Sequence, residues 1–294
     1  MRLLAAAAGS RGLALPVEPI ASLSESADVF SRALPVIGTL DGAWRPGEPD
    51  EEGAALALAS LQRATELAVS GEASGLVTGP IAKSLLAEVG FRFPGQTEFV
   101  AHACGAAAQD AVMMLAGPNL RTIPLTVHVA LAKVPRMITV DLIRRRGAIA
   151  AEALRRDFGI ARPRIAVAAL NPHAGELGRM GDEEERIITP AIAALRAEGL
   201  DITGPHPADA LFAPHARGGY DAALCMYHDQ ALIPLKALDF DNGVNVTLGL
   251  PIVRTSPDHG TAFDIAGTGR ASAGATIAAI RLAGESAARR SVHG

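Results

Sequence analysis

The chain has 294 residues, and we expect two lobes because single cores stop growing at about 250 to 300 residues. Apolar residues make up 49% of the chain and charged residues 20%, with 30 glycines and 19 prolines, and this ordinary globular mixture argues against disorder. The formal net charge of -4 gives no general attraction to nucleic acid or to an anionic membrane, so the expected partners are small molecules.

The two cysteines, Cys104 and Cys225, lie far apart and form no CxxC pair. The sequence therefore shows no disulfide framework and no thiolate zinc site, and we expect a cytoplasmic protein. The first residues, MRLLAAAAGSRG, imitate a secretory signal, but their apolar stretch is short and consists mostly of alanine. No run of about 18 apolar residues is present, so no membrane-spanning helix is expected.

Helices and strands alternate along the sequence. Apolar positions recur every three or four residues in 53–70 and in 140–158, which predicts two amphipathic helices, and a third helix is predicted over 182–198. Continuous apolar runs, typical of strands buried on both faces, occupy 75–80, 111–118, 123–131, 164–170, 222–227 and 243–250. This order indicates an α/β fold with largely parallel sheets, in which ligands bind at the carboxyl ends of the strands.

Three of the eight histidines lie in or just after predicted strands: His128 in PLTVHVAL, His173 after AVAAL and His228 after AALCMY. Neutral imidazole is a common ligand of divalent transition metals, and three protein ligands with an open position form a catalytic metal site. Hydrogen-bonded histidines at strand ends are the alternative, since no HxH or HExxH motif links the three. The other five have no motif that points to a metal.

Two segments place polar side chains at predicted helix starts. VTGPIAKSLL is typical of a strand, a turn and a helix, with Lys83 in the first turns, where it faces either a crevice or solvent. FPGQTEF places Gln96 and Thr97 where they either cap a helix or bind hydroxyl and carboxylate groups.

The last strand-rich stretch carries Lys236, Asn245 and Arg254. Lysine and arginine bind phosphate and carboxylate, although each alone is also explained as an exposed charge. GTGRAS, at 267–272, lacks the third glycine of a dinucleotide-binding fingerprint, so it does not indicate a Rossmann site.

Six motifs, taken in order, resemble the 4-hydroxythreonine-4-phosphate dehydrogenase family of pyridoxal phosphate biosynthesis: TGPIAK, GQTEF, LNPHAGELGRMGDEE, GPHPADALF, MYHDQALIPLK and GVNVTLGLPIVRTSPDHGTA. The resemblance runs from about residue 12 to the end. It implies NAD-dependent oxidation of a secondary alcohol, followed by decarboxylation of the β-keto acid to 3-amino-2-oxopropyl phosphate. It also implies the isocitrate and isopropylmalate dehydrogenase fold, with two α/β/α lobes, mostly parallel sheets and an active-site cleft between the lobes.

Carried over by position, the resemblance implies a divalent metal (zinc, magnesium or cobalt) held by His128, His173 and His228. In the family these ligands come from both subunits, so the active site requires a homodimer. The implied substrate-binding residues are Gln96, Thr97, Asp209, Lys236, Asn245 and Arg254. Proton transfer is assigned to Lys83 or Asp229, and the cofactor is NAD, with NADP left open.

The implied first lobe comprises residues 1–95 and 255–294, and the second comprises residues 96–254 with the metal and the dimer contacts. Family members begin with a strand and a glycine-rich acidic loop ahead of the segment that resembles AGSRGLALPVEPI, so a central strand is expected to be missing here. Gln96 is a second departure, because the family has histidine before Thr97. Glutamine carries no positive charge, so a contact with the substrate's phosphate or carboxylate is weakened or replaced.

These departures leave three alternatives open. One is the same chemistry on a related substrate, such as a four-carbon sugar-acid phosphate or a cyclic dihydrodiol carboxylate. Another is a truncated, inactive family member or a silent binding protein, although the retained histidines and basic residues argue against it. The last is a metal-dependent hydrolase, for which the chain lacks an acid/base motif such as HExxH.

Overall fold

A computed structural model describes residues 1–293 of the chain. Its α-helices are α1 (Arg2–Ser10), α2 (Ser26–Phe30), α3 (Glu51–Val69), α4 (Lys83–Glu88), α5 (Gln96–Ala103), α6 (Val134–Met137), α7 (Val140–Arg156), α8 (Thr189–Ala197), α9 (Ala208–Leu211), α10 (Pro214–Arg217), α11 (His228–Asp239) and α12 (Gly274–His293). Its strands are β1 (Val17–Ile20), β2 (Leu34–Ile37), β3 (Leu76–Val77), β4 (Val112–Ala116), β5 (Arg121–Pro124), β6 (Arg164–Ala168), β7 (Asp201–His206), β8 (Ala222–Cys225), β9 (Val244–Leu248) and β10 (Arg254–Pro257). None of the helices in this described part is long and apolar enough to cross a membrane.

Eight strands form one sheet in the order β3-β10-β9-β4-β5-β8-β6-β7, and β1 and β2 form a separate parallel pair. β5, β8, β6 and β7 run parallel to one another, and β3 runs parallel to β10. β9 and β4 connect these two groups through three antiparallel pairings. β10 therefore runs opposite to β5 and β8. Its carboxyl end lies at the edge of the sheet where β5 and β8 have their amino ends.

The predicted α/β class with a mostly parallel sheet is confirmed, because four of the seven pairings in the eight-stranded sheet are parallel, as is the separate β1–β2 pair. The predicted helices correspond to α3, to α7 and, for 182–198, to a π-helical segment, Glu184–Ile188, followed by α8. The run 123–131 is corrected: β5 ends at Pro124, and His128 lies in the bend beyond it. The positive φ of 52° at His128 is incompatible with an extended strand.

Helices cover both faces of the sheet. On one face α7 and α8 bury Ile143, Leu154 and Leu195 against β4, β6 and β8, and on the other α11 buries Leu235 against Leu115 of β4. Strands that are buried on both faces require continuous apolar sequence, which explains the apolar runs. α7 approaches α8 at Gly147, where an added Cβ would lie 2.8 Å from Leu195 Cδ1.

Asp157, at the end of α7, joins this helix to α12. Arg290 donates from Nε to Oδ1 at 2.7 Å and from Nη2 to Oδ2 at 2.9 Å. Arg156 donates from Nε to Oδ1 at 2.8 Å and from Nη2 to Oδ2 at 3.1 Å. Burial alone would raise the pKa of Asp157, but the hydrogen bonds from Arg290 and Arg156 outweigh burial and lower it. We call these three residues the Asp157 clamp.

Candidate active site

His128 and His228 line one cavity of about 280 Å³ at the carboxyl ends of β5 and β8, which we call the histidine cavity. Their ring centroids are 5.7 Å apart. His128 has a left-handed backbone with φ 52°, which is uncommon outside glycine, and residues held in sparsely populated conformations cluster at functional sites. The cavity thus brings together two of the three histidines that the sequence singles out.

The segment after β8 gives each polar side chain a separate role. His228 is the first residue of α11, and its Nδ1 lies 2.7 Å from Oδ1 of the exposed Asp229. A proton on Nδ1 donated to this carboxylate leaves the Nε2 lone pair for a ligand. Gln230 is buried, accepts from Met226 N at 2.7 Å and donates to Ala169 O at 2.7 Å. Gln230 therefore fixes the start of α11 against the end of β6.

His173 lies in a strained loop after β6. Positive φ values occur at every position from His173 to Leu177, and four of these five residues are not glycine. The buried Glu184 anchors the loop, because its Oε1 accepts from the backbone N of Leu170 and of Asn171 at 2.8 Å each. His173 itself is exposed and does not line the histidine cavity.

Arg254, the first residue of β10, is 4% exposed and contacts only neutral acceptors. Its Nη1 donates to Thr247 Oγ1 at 3.0 Å, and its Nη2 donates to Thr78 Oγ1 at 2.9 Å and to Gln96 Oε1 at 2.8 Å. Burial lowers the pKa of Arg254 to about 10, against the effect of the nearby Glu98, so the guanidinium stays charged at neutral pH. Within residues 1–293 no carboxylate forms an ion pair with it. A buried cation in this state favours an anionic ligand.

The start of α5 lies beside this guanidinium. Gln96, the first residue of α5, also donates from Nε2 to Gly79 O at 3.0 Å, and Thr97 follows it, half-buried. Lys83 begins α4 and is exposed, and a Cβ added at Gly95 would lie 3.6 Å from its Nζ. The predicted residues Lys83, Gln96, Thr97 and Arg254 therefore form one neighbourhood.

A cavity of about 510 Å³ lies at the carboxyl end of β10, and we call it the Lys236 cavity. Lys236 Nζ is 3.0 Å from Asp258 Oδ2, although this ion pair lacks the alignment of a hydrogen bond, and that buried oxygen has no hydrogen-bond partner in the described chain. Much of the remaining lining is apolar, with Trp44, Phe240 and Ile265 among the side chains. The cavity thus combines a charged pair with an apolar surface.

The remaining predicted substrate residues take different positions. Asn245 is half-buried on β9, opposite Ser256 of β10 and two residues from the register position of Asp258, and it is not among the residues that line the Lys236 cavity. Asp209 is exposed on α9 and is not among the residues that line either cavity.

The candidate residues lie at two opposite edges of the sheet, each formed by strand ends. His128 and His228 follow the carboxyl ends of β5 and β8, whereas Asp258 follows the carboxyl end of β10, which points the other way. Lys236 is on the same helix as His228, eight residues further on, which is about 12 Å along the axis. One chain therefore presents the imidazoles and the Lys236–Asp258 pair as separate groups.

Known proteins match nearly the whole chain. The family model described as pyridoxal phosphate biosynthetic protein PdxA matches residues 2–283. The chain belongs to the PdxA family. The 4-hydroxythreonine-4-phosphate dehydrogenase of Erythrobacter litoralis (strain HTCC2594) is 63% identical over 287 residues, which cover 98% of this chain and 85% of that relative. The enzyme of the same name from Zymomonas mobilis is 53% identical over 280 residues, which cover 95% and 84%.

Solved structures agree with the PdxA assignment. The crystal structure of 4-hydroxythreonine-4-phosphate dehydrogenase from Klebsiella pneumoniae superposes with a TM-score of 0.82 at 40% identity, covering 93% of this chain and 83% of that one. A terephthalate 1,2-cis-dihydrodiol dehydrogenase from Burkholderia xenovorans LB400 superposes with a TM-score of 0.65 at 30% identity, covering 93% and 84%.

The histidine cavity of this PdxA family member fits part of a metal site. Two imidazoles on one cavity wall are suitable ligands for a transition metal. A third ligand is not in place, because residues 1–293 bring no three His, Cys, Asp or Glu side chains together in a metal-binding arrangement. A complete site therefore needs a ligand from outside this cavity.

Sequence reasoning missed two residues of the candidate site. Asp258 faces Lys236, and Glu184 holds the loop that carries His173. The SPDHG motif contains Asp258, but only the direction of β10 shows that this carboxylate meets α11. Glu184 resembles an ordinary acidic residue at a helix start, and only its burial distinguishes it.

Proposed function

We propose that the protein oxidises 4-hydroxythreonine 4-phosphate with NAD and decarboxylates the product to 3-amino-2-oxopropyl phosphate. Membership of the PdxA family and the names of the relatives support this reaction. The observation that carries the proposal is the buried Arg254 guanidinium with only neutral acceptors, because an anionic substrate supplies the missing negative charge.

The charged residues hold the substrate in this proposal. Arg254, with Gln96 and Thr97 at the start of α5, binds one anionic end, and Asn245 and Lys236 fix the other groups. Asp258, whose Oδ2 is ion-paired with Lys236, accepts a hydrogen bond from a hydroxyl or amino group of the substrate. Lys83 or Asp229 transfers the proton, and Asp209 contacts the substrate after the two chains associate.

We propose His128, His173 and His228 as ligands of one divalent ion (zinc, magnesium or cobalt). When bound, the metal supplies Lewis acidity toward the hydroxyl group, and the nicotinamide accepts a hydride. The proximity of His128 to His228 supports two of these ligands, and the exposed position of His173 supports completion of the set across a dimer. Asp229 orients His228 through Nδ1.

The Lys236 cavity is the proposed place of the nicotinamide cofactor, NAD or NADP. Its apolar wall suits flat rings, and its volume lies within the usual range for small-molecule sites. Its lining comes from both proposed lobes, 1–95 with 255–294 and 96–254, since Trp44 and Asp258 belong to the first and Lys236 and Phe240 to the second. The contribution of both proposed lobes to the lining supports an active-site cleft between them.

A cytoplasmic location stays a prediction.

Exposed apolar side chains support a homodimer. Val129 and Leu131 line the histidine cavity, and Met137 ends α6, the helix that begins at the cavity-lining Val134. Leu177 and Met180 lie in the loop that carries His173, and Leu177 is 90% exposed. Burying these side chains against a second copy removes apolar surface from water and brings the histidines toward the partner's Lys236 side. We propose that each active site forms between two chains in this way.

NADH formation tests the proposal. Purified protein, NAD, 4-hydroxythreonine 4-phosphate and a divalent metal should give NADH absorbance that a chelator abolishes. His228→Ala should lose activity by at least about a hundredfold, whereas His215→Ala, an exposed histidine on α10, should match the parent protein. Equal activity of the two variants, or turnover that resists the chelator, would contradict the proposed metal site.

A second substrate class is favoured by one comparison. The terephthalate 1,2-cis-dihydrodiol dehydrogenase shares this fold at 30% identity, and Gln96 stands where the family resemblance expects histidine. The same assay with a cyclic dihydrodiol carboxylate or a four-carbon sugar-acid phosphate in place of the hydroxythreonine compound separates these substrates. Higher kcat/KM for one of them would replace the proposed substrate and keep the reaction type.

A further inference from the structure

A third cavity, of about 580 Å³, lies between the turn joining β4 to β5 and one face of α12. We call it the α12 cavity. It shares no lining residue with the histidine cavity or the Lys236 cavity. Nothing in the proposed reaction uses it.

The α12 cavity is strongly basic. Arg121, Arg281 and Arg289 line it, and Glu285 is the one acidic residue of its lining. Three guanidinium groups and one carboxylate leave two positive charges. Glu285 is mostly exposed and lies 3.4 Å from Arg289, so its charge offsets only part of the cluster.

Arg121 lines the cavity and forms no ion pair with a carboxylate in the described part of the chain. Its Nη1 donates to the backbone oxygen of Asp221 at 3.1 Å, while the Asp221 carboxylate is bound by Arg164 at 2.9 Å. Its guanidinium lies over Phe158, 5.1 Å from the ring centroid. Burial lowers the pKa of Arg121, Asp221 opposes this shift, and the positive charge of Arg289 adds to it.

Arg281 adds an uncommitted cation on the α12 side. It is exposed, and no ion pair or side-chain hydrogen bond engages it within the described residues. Arg281 and Arg289 follow Ile277 on the same face of α12. Their side chains therefore converge on one space with Arg121.

Apart from Asn242, the side chains in the rest of the lining are apolar. Ile277, Ala278 and Leu282 of α12 face the cavity together with Phe158. Small-molecule sites combine such a surface with a few convergent polar groups, and this volume lies in their usual range. The lining therefore suits an organic anion better than a bare ion.

We propose that the α12 cavity is a binding site for a small organic phosphate monoester. The guanidinium fork matches phosphate oxygens, and a dianion balances the two positive charges. The apolar wall holds the organic part of the ligand. The site is separate from the proposed dehydrogenase site and does not depend on that reaction.

Calorimetric titration at constant ionic strength tests the site with phenyl phosphate, inorganic phosphate and phenol. Phenyl phosphate should bind more tightly than inorganic phosphate, because it also covers the apolar wall, and phenol should not bind measurably. Tighter binding of inorganic phosphate would contradict the organic-ligand part of the proposal. No heat with either phosphate at ~10 mM, where a site with a Kd near 1 mM is mostly filled, would overturn the proposal.

Two isoleucines of α12 provide a matched pair of variants. Ile277 lines the cavity and Ile280 does not, and both are exposed, at 46% and 55%. Ile277→Glu places a carboxylate among the arginines and should weaken phenyl phosphate binding at least about tenfold, while Ile280→Glu should bind like the parent protein. Equal binding by both variants would assign the phosphate to another site, including the proposed active site.

A second pair guards against misfolding of Ile277→Glu. Arg281→Gln should weaken binding by roughly tenfold through the loss of one charge-assisted hydrogen bond, and Arg63→Gln, an exposed arginine of α3, should leave it unchanged. Thermal unfolding without ligand confirms that all four variants fold. Neither readout uses NADH, so failure here and failure of the dehydrogenase proposal are distinguishable.

Discussion

Gln96 shows what a neutral side chain does beside a buried cation. Its amide donates to Gly79 O and accepts from Arg254, so it positions the guanidinium without neutralising it. Sequence comparison marks Gln96 as a departure from the resemblance, and the structure gives it a role in holding Arg254. The positive charge remains available to a ligand.

Exchanging this amide for a carboxylate should separate stability from substrate binding. We expect Gln96→Glu to change the free energy of unfolding by less than about 1 kcal/mol, because the new ion pair with Arg254 is offset by the loss of the hydrogen bond that Gln96 Nε2 donates to Gly79 O. The same change should raise KM at least about tenfold, because the new carboxylate competes with the anionic substrate. Thermal unfolding and steady-state NADH formation measure the two effects.

Gln62→Glu is the control, because Gln62 is exposed on α3 and this substitution changes the net charge by the same amount as Gln96→Glu. It should alter neither quantity. A Gln96→Glu protein with unchanged KM would remove Arg254 from the proposed substrate site.

Gln230 has a structural role that its position beside His228 and Asp229 conceals. Replacing it with leucine leaves the N–H of Met226 and the carbonyl of Ala169 buried without their partner. We expect Gln230→Leu to cost about 2–4 kcal/mol in denaturant unfolding. Asp229→Asn, at an exposed side chain, should cost less than about 0.5 kcal/mol. Similar losses at the two positions would show that Gln230 does not anchor α11.

At the scale of helices and strands, the sequence predicts what burial on both faces dictates. The six apolar runs contain or overlap β3, β4, β5, β6, β8 and β9. β7 and β10 are not predicted, because DITGPH and RTSP are short and polar. These segments form strands through pairing with their neighbours in the sheet. The Asp157 clamp is equally invisible in sequence, since Asp157 and Arg290 are 133 residues apart.

The Asp157 clamp should make the α7–α12 contact sensitive to acid. The pKa of Asp157 is lowered in the folded protein, so its contribution is complete above the unfolded value near 3.8 and is lost as pH falls through the lower folded value. Asp157→Asn leaves two arginines without their partner and should cost roughly 3 kcal/mol at pH 7. The free energy of unfolding, measured between about pH 2 and pH 7, should decrease less toward acid pH in the variant than in the parent protein.

Asp182→Asn is the matched control for the clamp. Asp182 forms an exposed pair with Arg186 four residues later, and its removal should change stability by less than about 0.5 kcal/mol. If both substitutions cost the same, the clamp does not stabilise the α7–α12 contact.

At the scale of the whole molecule, the direction of β10 decides how the site residues are distributed. The sequence indicates the residue types and their strand-end positions, because these follow from local pattern. It does not show that β10 opposes β5 and β8, because strand direction depends on pairings between distant segments. The separation of His228 from the Lys236–Asp258 pair is therefore a property of the fold alone.

The apolar residues around the histidine cavity should hold two chains together. Leu131 is 63% exposed, and Leu131→Asp should weaken dimerisation at least about tenfold by placing a charge in the contact. Phe30→Asp, at a 72% exposed side chain on α2, should not. Sedimentation velocity across a dilution series measures both. A parent protein that is monomeric throughout, or equal weakening by the two changes, would contradict the proposed interface.

The separation of His228 from the Lys236–Asp258 pair, at opposite edges of the sheet, has a genetic consequence. If each site combines His128 and His228 of one chain with Lys236 of the other, a mixed dimer of His228→Ala and Lys236→Ala chains contains one site with both defects and one intact site. Two inactive gene copies should then complement each other when expressed together, with about a quarter of normal activity from random pairing. If one chain supplied the whole site, the same cross would yield no active enzyme.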